Sequence, residues 1–265
     1  MSEGEGSLPR GGDLRFRSEL QRQWSEMDPP LSAARPELDR VLQSIRIPGS
    51  ITEVVASPGM GKTTLMKMAA ELHRMQFGGA IEFVAGSRRF PLQDAVGAIA
   101  SSFRTAGGQS LLVIDSTEDL AAGDILAMVN QLATGPWSFS TLVGGRVALG
   151  IGQTVTLQPF AREAIARLLT ERIGDSVPPD AVDRLLRASH GVPLFAEALV
   201  EQLRSGATLE NVEALVAPWR YPGLIGPDGR SLSGSEQKER RLFTDVRFIR
   251  SELIDRLSRF PDEVY

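Results

Sequence analysis

Apolar positions along this chain switch repeatedly between a helical and an extended period. From Pro36, the residues Leu38, Val41, Leu42 and Ile45 recur at spacings of three and four, as on a helix with one buried face. Ser50-Ile51-Thr52-Glu53-Val54-Val55 is a short β-branched run bounded by Pro48-Gly49, which predicts a strand. Leu65-Met66-Lys67-Met68-Ala69-Ala70-Glu71-Leu72 is built of strong helix formers. Ala80–Val84 predicts a second strand and about Leu92 to Phe103 a helix. Ser110-Leu111-Leu112-Val113-Ile114-Asp115 predicts a third strand with almost no polar alternation, as expected where both faces are covered. A helix over roughly Asp119 to Leu132 follows, then strands at Thr141–Val143 and Thr154–Leu157. Strands separated by helical patterns predict a parallel sheet with helices on both faces.

After Pro159 the pattern is helical only, over about 161–173, 178–189, 193–204 and 208–215, punctuated by Pro178-Pro179 and Gly191-Val192-Pro193. This predicts a helical lid over 161–216, following an α/β domain over 31–160. Residues 1–30 are expected to be a flexible segment, Gly/Ser/Glu-rich at first, with a short helix over 13–27 ended by Asp28-Pro29-Pro30. Residues 217–235 are rich in Pro and Gly and predict a linker. The last segment predicts a helix over about 236–259. Its stripe of Leu242, Val246, Ile249, Leu253, Leu257 and Phe260 needs a surface to cover it, on this chain, a second copy or a protein partner.

The chemistry concentrates at Ala56-Ser57-Pro58-Gly59-Met60-Gly61-Lys62-Thr63-Thr64, which lies between a predicted strand and a predicted helix. It fits the phosphate-binding P-loop pattern, with Ala56 where the pattern begins with Gly. Backbone N–H groups that curl around phosphate oxygens need small neighbours, and Gly59 and Gly61 supply that freedom. Lys62 would set an ammonium on the β- and γ-phosphates, Thr63 would offer its hydroxyl to Mg²⁺, and the helix start would add a positive dipole end. Asp115 ends a buried strand, where an acid can hold Mg²⁺ beside the P-loop Thr. Glu118 is a candidate to orient an attacking water, or a simple first-turn acid of the next helix. Arg146 follows the fourth strand directly. Parallel strands deliver their C-terminal ends to one edge, so Arg146 can reach a γ-phosphate. Arg88 and Arg89 end the second strand similarly.

In this order the motifs resemble the STAND class of P-loop ATPases, related to AAA+ proteins, over about residues 31–205. Leu31-Ser32-Ala33-Ala34-Arg35-Pro36-Glu37-Leu38 is similar to the "LvGRexEL" motif of that class, and LLVIDSTEDL over 111–120 to its Walker B segment. Arg146 falls on its sensor 1 Arg, although Gly144 and Gly145 stand where "TS" is usual. VTLQPFAREAIARLL and His190-Gly191-Val192-Pro193-Leu194-Phe195-Ala196-Glu197 are similar to the segments that open and close its helical domain. The resemblance implies a P-loop NTPase αβα sandwich with a five-stranded parallel sheet and a helical lid. It also implies ATP or ADP with Mg²⁺ between sheet and lid, Arg35 near the nucleotide and Pro193 against the adenine. Ser116 sits where many members carry a second acid, which implies slow hydrolysis. Residues 217–265 are too short for the winged helix or repeat array usual in the class. Leu253–Tyr265 faintly resembles the lead-in to restriction-endonuclease-like domains, a hint of a nuclease-like effector partner.

Composition narrows the function classes. Apolar residues make up 42% of 265 and charged residues 23%, ordinary for a core-forming protein. A net charge of -4 gives no bulk attraction to nucleic acid or to an anionic membrane. Without Cys there is no thiol catalysis and no Cys-based zinc site, and two His residues argue against a His-rich metal centre. No apolar run reaches membrane-spanning length and Met1–Gly6 lacks signal-peptide character, so the expected location is cytoplasmic. The expected function is an ATP-binding, slowly hydrolysing switch that assembles with a partner. A non-hydrolysing regulatory or scaffolding module and an AAA+-type DNA-processing factor stay open as alternatives.

Overall fold

A computed structural model describes residues 35–86, 92–174 and 180–209, which fall into two compact units. Of the described residues, one comprises those within Pro36–Val55 and Thr63–Thr156; the other comprises Arg35, Ala56–Lys62, 157–174 and 180–209. The expected flexible segment with its helix over 13–27, Arg88 and Arg89, nearly all of the helix over 208–215, and the 217–265 linker and terminal helix lie outside the described residues.

In the first unit, helix α1 (Pro36–Ile45) leads into β1 (Ile51–Val55), and α2 begins after the 56–61 loop (Lys62–Phe77). The chain continues through β2 (Gly78–Ala85), α3 (Leu92–Thr105), β3 (Gln109–Asp115), a 3₁₀ turn (Thr117–Asp119), α4 (Ala122–Ala133), β4 (Ser138–Gly145) and β5 (Gln153–Thr156). The five strands form one sheet, ordered β2-β3-β4-β1-β5, with every neighbouring pair parallel. β4 is longer than the apolar trio Thr141–Val143, because its polar and glycine positions also lie in register with β1 and β3. The helix expected from Asp119 starts only at Ala122, since the preceding residues close their own 3₁₀ turn.

One sheet face is covered by α3 and α4. Leu92, Val96, Ile99, Phe103, Ile125, Met128 and Leu132 pack on Leu112, Ile114, Phe139 and Val143. Phe103 meets Phe139 at 5.3 Å between ring centroids and Trp137 at 6.5 Å, and Trp137 anchors the turn after α4. Glu53 shares this side with an unusual connection. Parallel strands of one sheet are usually joined by a crossover of about a dozen residues or more, yet β4 passes to β5, on the other side of β1, through residues 146–152 alone. The Glu53 carboxylate, 2% exposed, accepts the N–H groups of Leu149 at 2.5 Å, Ile151 at 2.7 Å and Gly152 at 3.0 Å. A backbone too short to pair with itself is thereby satisfied by one side chain.

Polar contacts tie the other face. Thr52 donates to the Ser44 hydroxyl at 2.7 Å, and the Gln109 amide donates to Ile45 O at 3.0 Å and Ser140 Oγ at 2.7 Å. His73, on α2, is buried, where its place on this helix leads one to expect a surface or half-buried residue. Its Nε2 lies 3.1 Å from Gln109 O, while Nδ1 is buried without a hydrogen-bond partner. Burial lowers its pKa below the usual 6.5, against the opposing effect of the Gln109 and Ser110 backbone contacts. The unfolded chain therefore binds the proton more readily. The His73 contribution is complete above the unfolded pKa and is lost as pH falls through the folded one. Thermal melting should drop from pH 7.5 to pH 5, and His73→Leu should make that drop shallower.

In the second unit, α5 (Arg162–Ile173), α6 (Ala181–Ser189) and α7 (Pro193–Arg204) pack on one another. Ile165, Leu168, Leu169, Leu185, Leu199 and Val200 are buried here. α6 ends at His190 and Gly191, both at positive φ (51° and 69°), and Pro193 opens α7 at its first helical position.

Candidate functional site

The 56–62 loop has the backbone that its sequence requires. Positive φ falls at Gly59 (81°) and Gly61 (76°), whereas Ala56 has no positive φ and its methyl is buried, which explains why Ala is tolerated at the first motif position. Pro58 lies within a turn closed by Met60 N–H on Ser57 O at 3.3 Å, and the Met60 side chain is buried. Lys62 is the last residue of the loop and the first of α2; Thr63 and Thr64 continue its first turn.

Within the sheet unit, Thr63 Oγ1 donates to Asp115 Oδ2 at 2.6 Å across a separation of 52 residues. The other Asp115 oxygen accepts the Ser116 N–H at 2.8 Å. Ser116 is left-handed (φ 61°, ψ 52°), a sparsely populated conformation for a residue with a side chain. It lies in a tight place, for a Cβ on Gly86 would come within 2.2 Å of its carbonyl oxygen. β4 inserts between β1 and β3, so Gly144 and Gly145 end up beside Asp115 and Thr117. A Cβ on Gly144 would stand 2.5 Å from Met66 Sδ and 2.7 Å from Asp115 Oδ1; on Gly145 it would stand 2.6 Å from Thr117 Oγ1. Only bare backbone lets α2 and the end of β3 close over β4. Thr117, buried, donates to Gly144 O at 3.2 Å. Just beyond them, Glu118 and Arg146 approach to 3.5 Å as a half-exposed ion pair, a contact worth at most about 1 kcal/mol.

Within the other unit, Arg35 lies on the loop. Its Nη2 donates to Met60 O at 2.7 Å, its Nη1 to Gln158 O at 3.1 Å, and its guanidinium carbon is 4.6 Å from the centroid of the Phe160 ring. Pro193 and Leu194, which open α7, also reach the loop: Leu194 N–H donates to Gly59 O at 3.1 Å, and a Cβ on Gly61 would lie 4.0 Å from Pro193 Cβ. The structure thus gathers Thr63 with Asp115, Glu118 with Arg146, and Arg35 and Pro193 with Gly59, Met60 and Gly61.

A single parallel sheet in this order, with its Gly-rich loop after β1 and Asp115 closing β3, decides the architecture. The fold is that of an α/β P-loop NTPase. It is similar to the FIGL-1 AAA domain in complex with ADP, with a TM-score of 0.52 and 11% identity over 82% of this chain and 90% of that one. It is also similar to Cdc6p from Pyrobaculum aerophilum, with a TM-score of 0.51 and 16% identity over 73% of this chain and 67% of that one. A STAND protein with a tetratricopeptide repeat sensor from Pyrococcus horikoshii matches at a TM-score of 0.45 and 15% identity; the chain spans 30% of its length and 65% of its own. No protein-family model matches the chain, and no curated protein matches it.

Sequence reasoning passed over Thr117, and it noted Gly144 and Gly145 only as departures from a motif. Paired glycines ending an apolar strand do carry a signal of close backbone approach. No group of three or more His, Asp or Glu side chains that could cage a metal occurs among the described residues. A Mg²⁺ site made of one Thr hydroxyl, one carboxylate, water and phosphate oxygens needs no such cage. The Thr63 and Asp115 oxygens fit that donor set, and Thr63 keeps a lone pair while it donates to Asp115. No helix among the described residues is long and apolar enough to cross a membrane.

Proposed function

We propose that this chain binds ATP and ADP on its P-loop, with Mg²⁺ held through Thr63 and Asp115, and hydrolyses ATP slowly. The observation that carries the reading is the 2.6 Å contact between Thr63 Oγ1 and Asp115 Oδ2. It joins the two oxygen donors that metal-assisted phosphoryl chemistry needs next to a loop of phosphate-binding composition. In this reading Lys62 and the loop N–H groups stabilise phosphate charge, the bound cation neutralises more of it, and Arg146 contacts the γ-phosphate. Glu118, paired with Arg146, orients a water once that pair opens. The helix start at Pro193 contributes to the base side of the nucleotide.

Slow turnover is favoured by three positions. Ser116 offers no carboxylate where a second acid would assist, and Gly144 and Gly145 offer no polar side chain beside Asp115. A long-lived nucleotide state suits a switch that assembles with a protein partner, with the apolar stripe over 242–257 as the docking element and a nuclease-like effector as one candidate. Arg146→Ala tests the assignment. ATP affinity or turnover should fall about tenfold, the scale of one charged hydrogen bond, while ADP affinity stays within about twofold. Equal loss for both nucleotides would make Arg146 structural.

A further inference from the structure

Arg35 belongs to a closed ring of contacts that returns to the phosphate loop. Starting from Met60 O, the ring passes through the Arg35 guanidinium to Gln158 O. It continues along the chain to Phe160, whose ring stacks on the same guanidinium and whose N–H donates to Gly191 O at 2.6 Å. From Gly191 the chain enters α7, where Leu194 N–H donates to Gly59 O, the neighbour of the starting residue. All of these residues lie in one compact unit.

We infer that Arg35 is a positioning residue that locks the shape of the phosphate loop and couples it to the start of α7. The inference rests on the nucleotide-binding reading only for its second half. The first half follows from peptide geometry. In a trans peptide, C=O and the following N–H point in opposite directions. Holding Gly59 O on Leu194 N–H and Met60 O on Arg35 Nη2 therefore fixes the planes that carry Met60 N–H and Gly61 N–H. Met60 N–H closes the turn on Ser57, and Gly61 N–H, opposite Met60 O, is aimed away from Arg35. Arg suits the task because its planar fork can donate to two carbonyls while its face lies on an aromatic ring, which a Lys ammonium cannot reproduce. The fit is close on both glycines: a Cβ on Gly61 would come 3.4 Å from Arg35 Nη2, and one on Gly59 would come 3.3 Å from both Val192 and Leu194 side-chain carbons. A loop held this tightly cannot change its path when phosphate enters without moving 158–160 and the first turn of α7. Arg35 then acts on the nucleotide through the loop rather than by touching it.

Hydrogen exchange on the full chain tests this with Arg35→Lys and, as a second variant, Arg35→Gln. Without nucleotide, the Phe160 and Leu194 amides should exchange roughly tenfold faster in both variants, the scale of a lost charged hydrogen bond, while Val113 in the sheet stays unchanged. Unaltered exchange at both amides in both variants would overturn the inference. With ADP and Mg²⁺, wild type should gain protection at Leu194, whereas a variant saturated with ADP should not. Retention of that response in a saturated variant would overturn the coupling. If wild type shows the nucleotide-free difference but binds no ADP, the ring stands and the nucleotide-binding reading fails.

Discussion

Lys62→Ala should abolish tight nucleotide binding and leave the fold intact. The substitution removes the ammonium assigned to the β- and γ-phosphates at the point where the loop becomes α2. Removing one partner of a desolvated charge pair costs about 2–5 kcal/mol, or roughly 30-fold to a few thousand-fold in affinity. The loop backbone should survive, because its turn, its two left-handed glycines and its bonds to Arg35 and Leu194 do not use the Lys62 side chain. Calorimetric titration with ATP measures the loss, and an unchanged melting temperature checks the fold. Unchanged affinity would remove the phosphate-binding role from this loop.

Asp115→Asn should abolish the Mg²⁺ dependence of ATP binding and cut turnover by roughly 10²-fold or more, because positioning and charge neutralisation by the cation supply much of phosphoryl-transfer catalysis. Asn retains one acceptor for the Ser116 N–H and nearly the same volume, which matters where Gly144 leaves no spare room. The variant should therefore melt close to wild type. Binding measured with Mg²⁺ and with excess chelator separates the two effects. An Asp115→Asn protein that still binds ATP more tightly with Mg²⁺, and still turns it over at the wild-type rate, would make Asp115 a turn residue.

What could be read from the sequence follows from the range of the interactions involved. β3 was legible because burial on both faces leaves an uninterrupted apolar run, and the strand–loop–helix succession around Gly59 and Gly61 because turn chemistry is local. The parallel sheet expected from alternating strands and helices is the one found. Its order is not written locally: nothing in Ser138–Gly145 says that this strand inserts between β1 and β3. The bareness of Gly144 makes sense only once Met66 and Asp115 are known to converge there. The burial of His73 is not written locally either, because the carbonyl that it meets belongs to Gln109, 36 residues away. Glu53 holds a backbone segment nearly a hundred residues downstream, a partner that no local pattern announces. The resemblance placed Arg35 near a nucleotide; its contacts with Met60, Gln158 and Phe160 could not be read from any spacing.

The central proposal is that this P-loop NTPase fold binds a nucleoside triphosphate through its P-loop. Titrating the purified wild-type chain with ATP in a calorimeter, with Mg²⁺ and then with chelator, tests it most directly. The account predicts saturable binding of one nucleotide per chain that tightens when Mg²⁺ is present. Absence of saturable binding at millimolar ATP under both conditions would contradict it.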